Sequence, residues 1–148
     1  MQWLLLAYRI PREPTAGRVY VWRKLKQLGA VALQDAVWVL PGTPRTQEQF
    51  QWLAAEIVEL GGEVSLFTSE LVFANKPQSL REAFENPVRK EYQAILEELK
   101  QKKPDRAALA QRYVRAKERD YFQHELGEQV RTHLLKSPGT KSPGAKSK

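Results

Sequence analysis

The chain has 148 residues, enough for a domain with a real core. Its 42% hydrophobic and 28% charged residues exclude disorder throughout, and the lack of cysteine excludes disulfides, thiolate metal sites and a Cys nucleophile. The net charge of +7 is spread thinly over the chain and concentrated in the last twelve residues, which hold three lysines and no acid. That profile permits a polyanionic partner without demanding one. The longest apolar run, Trp3 to Tyr8, is too short to span a bilayer and lacks the features of a signal peptide, so a cytoplasmic protein without membrane contact is expected.

Leu4 to Ile10 reads as a buried strand stopped by Pro11 and Pro14. A helix follows, with Thr15 as its N-cap and Gly29 at its end. Val21, Trp22, Leu25 and Leu28 recur at helical spacing, which puts Trp22 on the core seam. Ala30 to Leu33 and Ala36 to Leu40 are β-rich runs separated by Gln34-Asp35, the pattern of a hairpin in which Trp38 can face either way. A second helix runs from about Thr46 to Leu60, with Phe50, Leu53, Ala54, Ile57 and Leu60 on its seam and Gly61-Gly62 as its stop. Val64 to Phe67 reads as a fourth strand. The order predicts an α+β chain with a ferredoxin-like βαββαβ core over residues 1–75, two helices covering one face of a four-stranded antiparallel sheet.

Beyond Asn75 the chain turns charged and helical. Val88, Tyr92, Ile95, Leu96 and Leu99 form one seam, and Pro104-Asp105 opens a helix carrying Leu109, Tyr113, Ala116, Phe122, Leu126, Val130 and Leu134, with a phase slip near Asp120-Tyr121. These predict a C-terminal helical hairpin over 76–136 packed on the core. Lys136-Ser-Pro-Gly-Thr and Lys141-Ser-Pro-Gly-Ala repeat in tandem, so 137–148 is expected to be a disordered basic tail.

Residues with catalytic patterning are scarce. His124 and Glu128 have metal-ligand spacing, but two ligands on a solvated helix read as a surface histidine beside a carboxylate. The glycines mark element ends and form no phosphate loop, and no serine stands in a nucleophile elbow. The expectation is a non-enzymatic protein with no cofactor, no metal and no catalytic residues. Basic residues are the better lead: Arg9 and Arg12 flank the end of the first strand, and Arg18, Arg23, Lys24 and Lys26 crowd the next helix. Arginine offers anions a planar fork of donors, and Arg18 lies near a helix N-terminus that already favours negative charge.

Trp3-Leu-Leu-Leu-Ala-Tyr-Arg-Ile-Pro, then Arg18 through Trp22-Arg23-Lys24-Leu25-Lys26 to Leu28-Gly29-Ala30, then Gln34-Asp35-Ala36-Val37-Trp38-Val39-Leu40-Pro41, together resemble the N-terminal domain of the chromate-resistance regulator ChrB. Arg119-Asp120-Tyr121-Phe122 resembles a stretch of that domain's helical part. A looser version of the pattern is similar to the C-terminal region of the phenylacetate repressor PaaX, in keeping with a ferredoxin-like core. The CRISPR adaptation nucleases share such a core but place a metal-binding aspartate at the end of the first strand, where this chain has Tyr8 and Arg9.

The ChrB resemblance implies a DNA-binding transcription regulator controlling a chromate efflux system. The residues expected to meet DNA phosphate or an oxyanion are Arg9, Arg12, Arg18, Arg23, Lys24 and Lys26. Chromate or another oxyanion and a second copy of the chain are further candidate partners. The alternative is an oxyanion-binding or protein-interaction module that acts with a separate partner carrying the C-terminal ChrB domain.

Overall fold

The computed structural model describes residues 1–136, and the tail expected at 137–148 lies outside the described residues. The elements are β1 (Gln2–Arg9), α1 (Thr15–Leu28), β2 (Val31–Gln34), β3 (Val37–Pro41), α2 (Pro44–Glu59), β4 (Glu63–Glu70), α3 (Ser79–Leu99), α4 (Arg106–Glu118) and α5 (Leu126–Leu135). They fall into two compact units, Met1–Leu80 and one that begins at Arg81.

In the first unit an antiparallel four-stranded sheet runs β2-β3-β1-β4. The register sets Leu4 against Leu40 and Thr68, Leu6 against Trp38 and Leu66, and Tyr8 against Val64. Because strand side chains alternate and direct partners share a face, Leu4, Leu6, Tyr8, Trp38, Leu40 and Leu66 lie on one side of the sheet. Gln51 and Ala54 of α2 adjoin Leu4 and Leu66 there, and Arg18 and Trp22 of α1 adjoin Tyr8 and Trp38. Both helices therefore cover the same face. Leu4, Leu6, Val21, Leu25, Leu40, Phe50, Leu53 and Ile57 are buried, each contributing roughly 1.5–3 kcal/mol of transfer free energy.

Local chemistry explains where the helices begin and end. Thr15 is not the N-cap of α1 but its first helical residue; Pro14, with φ −75° and extended ψ, holds the cap position and provides no side-chain bond. Gly29 closes α1 in the left-handed conformation at φ 77°. Trp22 is also displaced from its expected place. Gly17, Val21 and Leu25 form the buried stripe, and Trp22 sits about 100° further around the helix, 51% exposed. α2 starts two residues earlier than expected, because Thr43 and Thr46 form a reciprocal capping box with Pro44 as the first helical residue. The buried Thr46 hydroxyl also donates to the Pro41 carbonyl at 2.6 Å. Gly62 is required by close approach: a Cβ there would lie 2.6 Å from the Arg9 carbonyl oxygen and 2.8 Å from Ile57 Cγ2.

In the second unit the expected hairpin is instead three helices. The phase slip at Asp120-Tyr121 is a true break, where Arg119 caps α4 and Gln123 takes a positive φ of 52°. Val88, Tyr92, Ile95, Leu109, Ala116 and Val130 form the core of this unit. Gly127 opens α5 against the Tyr92 ring, whose atoms would stand 3.2 Å from any Cβ. Among the described residues no helix is long and apolar enough to cross a membrane.

Candidate functional site

α1 presents a second stripe beside its buried one. Thr15, Arg18, Val19, Trp22, Arg23 and Lys26 recur at three- and four-residue spacing, so they share one flank of the helix. That flank forms one wall of an open groove of about 1220 Å³. Residues 32–36, the end of β2 and the hairpin turn, form the other wall, with Tyr8, Ile10 and Trp38 also lining the groove. The backbone N–H of Tyr8 donates to the Ala36 carbonyl at 3.0 Å, tying the turn to the end of β1.

Four of the six expected basic residues meet here: Arg9, Arg18, Arg23 and Lys26. Asp35 is the one carboxylate among the lining residues. Arg9 is engaged by Glu63, its cross-strand partner on β4, at 2.5 Å. Both side chains are well exposed, so this pair contributes at most about 1 kcal/mol. Among the described residues Arg18, Arg23 and Lys26 form no salt bridge. The first turn of α1 carries no acid either. An excess of positive charge in a concave surface focuses an attractive field for anions.

Aromatic groups accompany the charge. Tyr8 and Trp38 share a sheet face and both line the groove. Burial raises the Tyr8 pKa against the opposing effects of Trp38 and Arg18, so the phenol is neutral at pH 7. On the α1 wall the Lys26 ammonium lies 5.8 Å from the centroid of the Trp22 ring.

The other two expected residues lie elsewhere. Arg12 is exposed between β1 and α1 and does not line the groove. Lys24 lies on the α2 side of α1, in a smaller depression with Gln27, Trp52 and Glu56, with its ammonium 5.7 Å from the Tyr20 ring centroid. Glu56 accepts a 2.5 Å hydrogen bond from the Tyr20 hydroxyl, so the polar tie between α1 and α2 here is a phenol on a carboxylate. That bond to Glu56 is the main cause of the raised Tyr20 pKa.

Trp22, Tyr8, Trp38 and Asp35 complete the groove beyond the basic residues. Arg18, Trp22 and Lys26 at four-residue intervals are visible in the sequence, whereas the meeting of Tyr8 and Trp38 depends on strand register. Arg119-Asp120-Tyr121-Phe122 takes a structural place in the second unit. Asp120 accepts from the Tyr92 hydroxyl and the His124 backbone N–H, and the Phe84 ring lies 6.1 Å from those of Tyr121 and Phe122. His124 Nδ1 accepts the Leu126 backbone N–H at 3.1 Å, which commits that nitrogen to the start of α5.

A family model described as "Protein ChrB, N-terminal" matches residues 18–129. A relative named Protein ChrB, from Cupriavidus metallidurans (strain ATCC 43123 / DSM 2839 / NBRC 102507 / CH34), is 30% identical over 83 residues, 56% of this chain and 26% of that protein. The chain thus matches about a quarter of the length of this curated relative. No solved structure matches it.

Proposed function

The chain belongs to the ChrB N-terminal family, and from that premise we propose that it acts in chromate resistance as a DNA-binding regulator of a chromate efflux system. Binding is its role, with no catalytic step and no cofactor, and contact with DNA places it in the cytoplasm. The element order and the strand order β2-β3-β1-β4 support reading the first unit as a ferredoxin-like core. The observation that carries the proposal is the groove, where Arg18, Arg23 and Lys26 form no salt bridge among the described residues and share the lining with one carboxylate. Each is free to neutralise a phosphate and release a counterion.

Binding of the full chain to its own promoter fragment, followed over a range of salt, tests the reading. Replacing Arg18, Arg23 and Lys26 by glutamine should lower the slope of log affinity against log salt by about 0.9 per lost contact. Thermal stability should stay within about 0.5 kcal/mol, since these side chains are exposed. Unchanged affinity and slope would remove the groove from DNA binding.

The concavity of the same site favours a second reading, an oxyanion-binding module that works with a separate C-terminal ChrB domain. Chromate that bound the chain without DNA, and lost that binding in the same glutamine variants, would support it.

A further inference from the structure

We propose that the groove grips single-stranded nucleic acid, with an unstacked base laid on Trp22 and neighbouring phosphates on Arg18 and Lys26. The inference rests on the phosphate-contact reading above and adds the form of nucleic acid that the site takes.

Arg18, Trp22 and Lys26 follow one another along α1 at four-residue intervals, which is about 6 Å of helix rise per step. A cation, an aromatic face and a second cation therefore stand in a row along one wall. Trp22 is 51% exposed, while Val21 and Leu25 on the adjacent stripe are fully buried. Its indole thus contributes little to the core and presents a face to the groove. Lys26 already lies over that ring at 5.8 Å, and its flexible stem lets the ammonium turn to a phosphate while staying near the aromatic.

Charge alone would suit any polyanion, but the aromatic face narrows the choice. The bases of a duplex are stacked on one another and have no free face for an indole. A single strand offers both a charged backbone and free base faces. A positively charged groove with aromatic platforms is the arrangement that holds single strands with little sequence preference, because every base has a π-face.

The test compares binding of the full chain to a labelled oligothymidylate and to a duplex of the same length. The single strand should bind more tightly and quench tryptophan emission. That quench should persist in Trp52→Phe, which removes another exposed indole. Trp22→Ala should weaken single-strand binding by roughly 5- to 100-fold, the loss of one stacked base, and weaken duplex binding far less. Trp22→Phe should recover part of the loss, and unchanged melting curves would separate a binding defect from unfolding. Duplex binding equal to or tighter than single-strand binding, with Trp22→Ala neutral, would overturn this inference. The phosphate-contact reading would survive that result if the glutamine variants still weakened the duplex complex. No binding to either form would overturn both.

Discussion

The Tyr92 hydroxyl donates to Asp120 Oδ2 at 3.0 Å, joining the middle of α3 to the break between α4 and α5. The same carboxylate accepts the His124 backbone N–H at 2.9 Å. Asp120→Ala would leave two donors without their acceptor and should cost about 2 kcal/mol in urea unfolding. Burial, followed by the Asp120 bond, raises the Tyr92 pKa above its ordinary value of 10.0. A raised pKa contributes stability that is fully present below pH 10 and is lost as pH rises through the folded-state value. Tyr92→Phe should therefore flatten the fall in stability above pH 10, read from unfolding midpoints across the alkaline range.

Arg112 of α4 holds two carboxylates of α3, with Nε 2.9 Å from Glu91 Oε2 and Nη1 2.6 Å from Glu98 Oε2. The Arg112 hydrogen bond keeps the Glu91 carboxyl below its usual pKa of 4.5. This depressed pKa contributes stability above pH 4.5 that is lost as pH falls through the folded-state value. Glu91→Gln should shrink the acid-limb loss of stability, and Arg112→Lys, which lacks the planar fork, should cost about 1 kcal/mol at neutral pH. Urea midpoints at a series of acid pH values check both.

Gly62→Ala should cost about 2 kcal/mol or more. The new methyl would meet the Arg9 carbonyl oxygen and Ile57, neither of which is a loose side-chain end, and β1, α2 or β4 would have to move. Thermal melts compared with Gly42→Ala are informative, because the nearest atoms there stand 3.2 Å away and ask for a smaller adjustment.

Arg106 closes the C-terminal end of α5, its Nη2 donating to the carbonyls of His133 at 2.7 Å and Leu134 at 3.1 Å. Arg106→Ala should fray that last turn, a local loss of about 1 kcal/mol. Amide exchange should accelerate in residues 132–135 and stay slow at Val88 and Ile95. Acceleration throughout the unit would make Arg106 a global rather than a local support.

Apolar runs bounded by Pro11, Gly29, Pro41 and Gly61-Gly62 make the first six elements legible in the sequence, because proline and glycine stop regular structure through backbone geometry alone. The side of α1 that carries Trp22 is less legible. A seam read at 3.6-residue spacing is broad, and only the packing of Gly17 against Ile10 and Leu60 narrows it to Val21 and Leu25. The basic half of the groove is visible as a cluster of Arg and Lys. Its Tyr8–Trp38 pair is not, since the two residues share a sheet face only through the pairing of Leu6 with Trp38. The break after α4 shows in the sequence as a slipped phase, but the bond that ties it to α3, the Tyr92 hydroxyl donating to Asp120, is a tertiary detail.

All the residues lining the groove fall between Tyr8 and Trp38, an unbroken stretch of chain. Its two walls are separated only by Gly29-Ala30 and the first residue of β2, so little loop-closure entropy opposes their meeting. The site is nearly self-contained in sequence. Substitutions in α2 or along most of β4 can alter how firmly the unit holds together while leaving the identity of what the groove recognises untouched. Drift in those segments is then freer than drift in α1, and a change of ligand would require change within this one continuous segment.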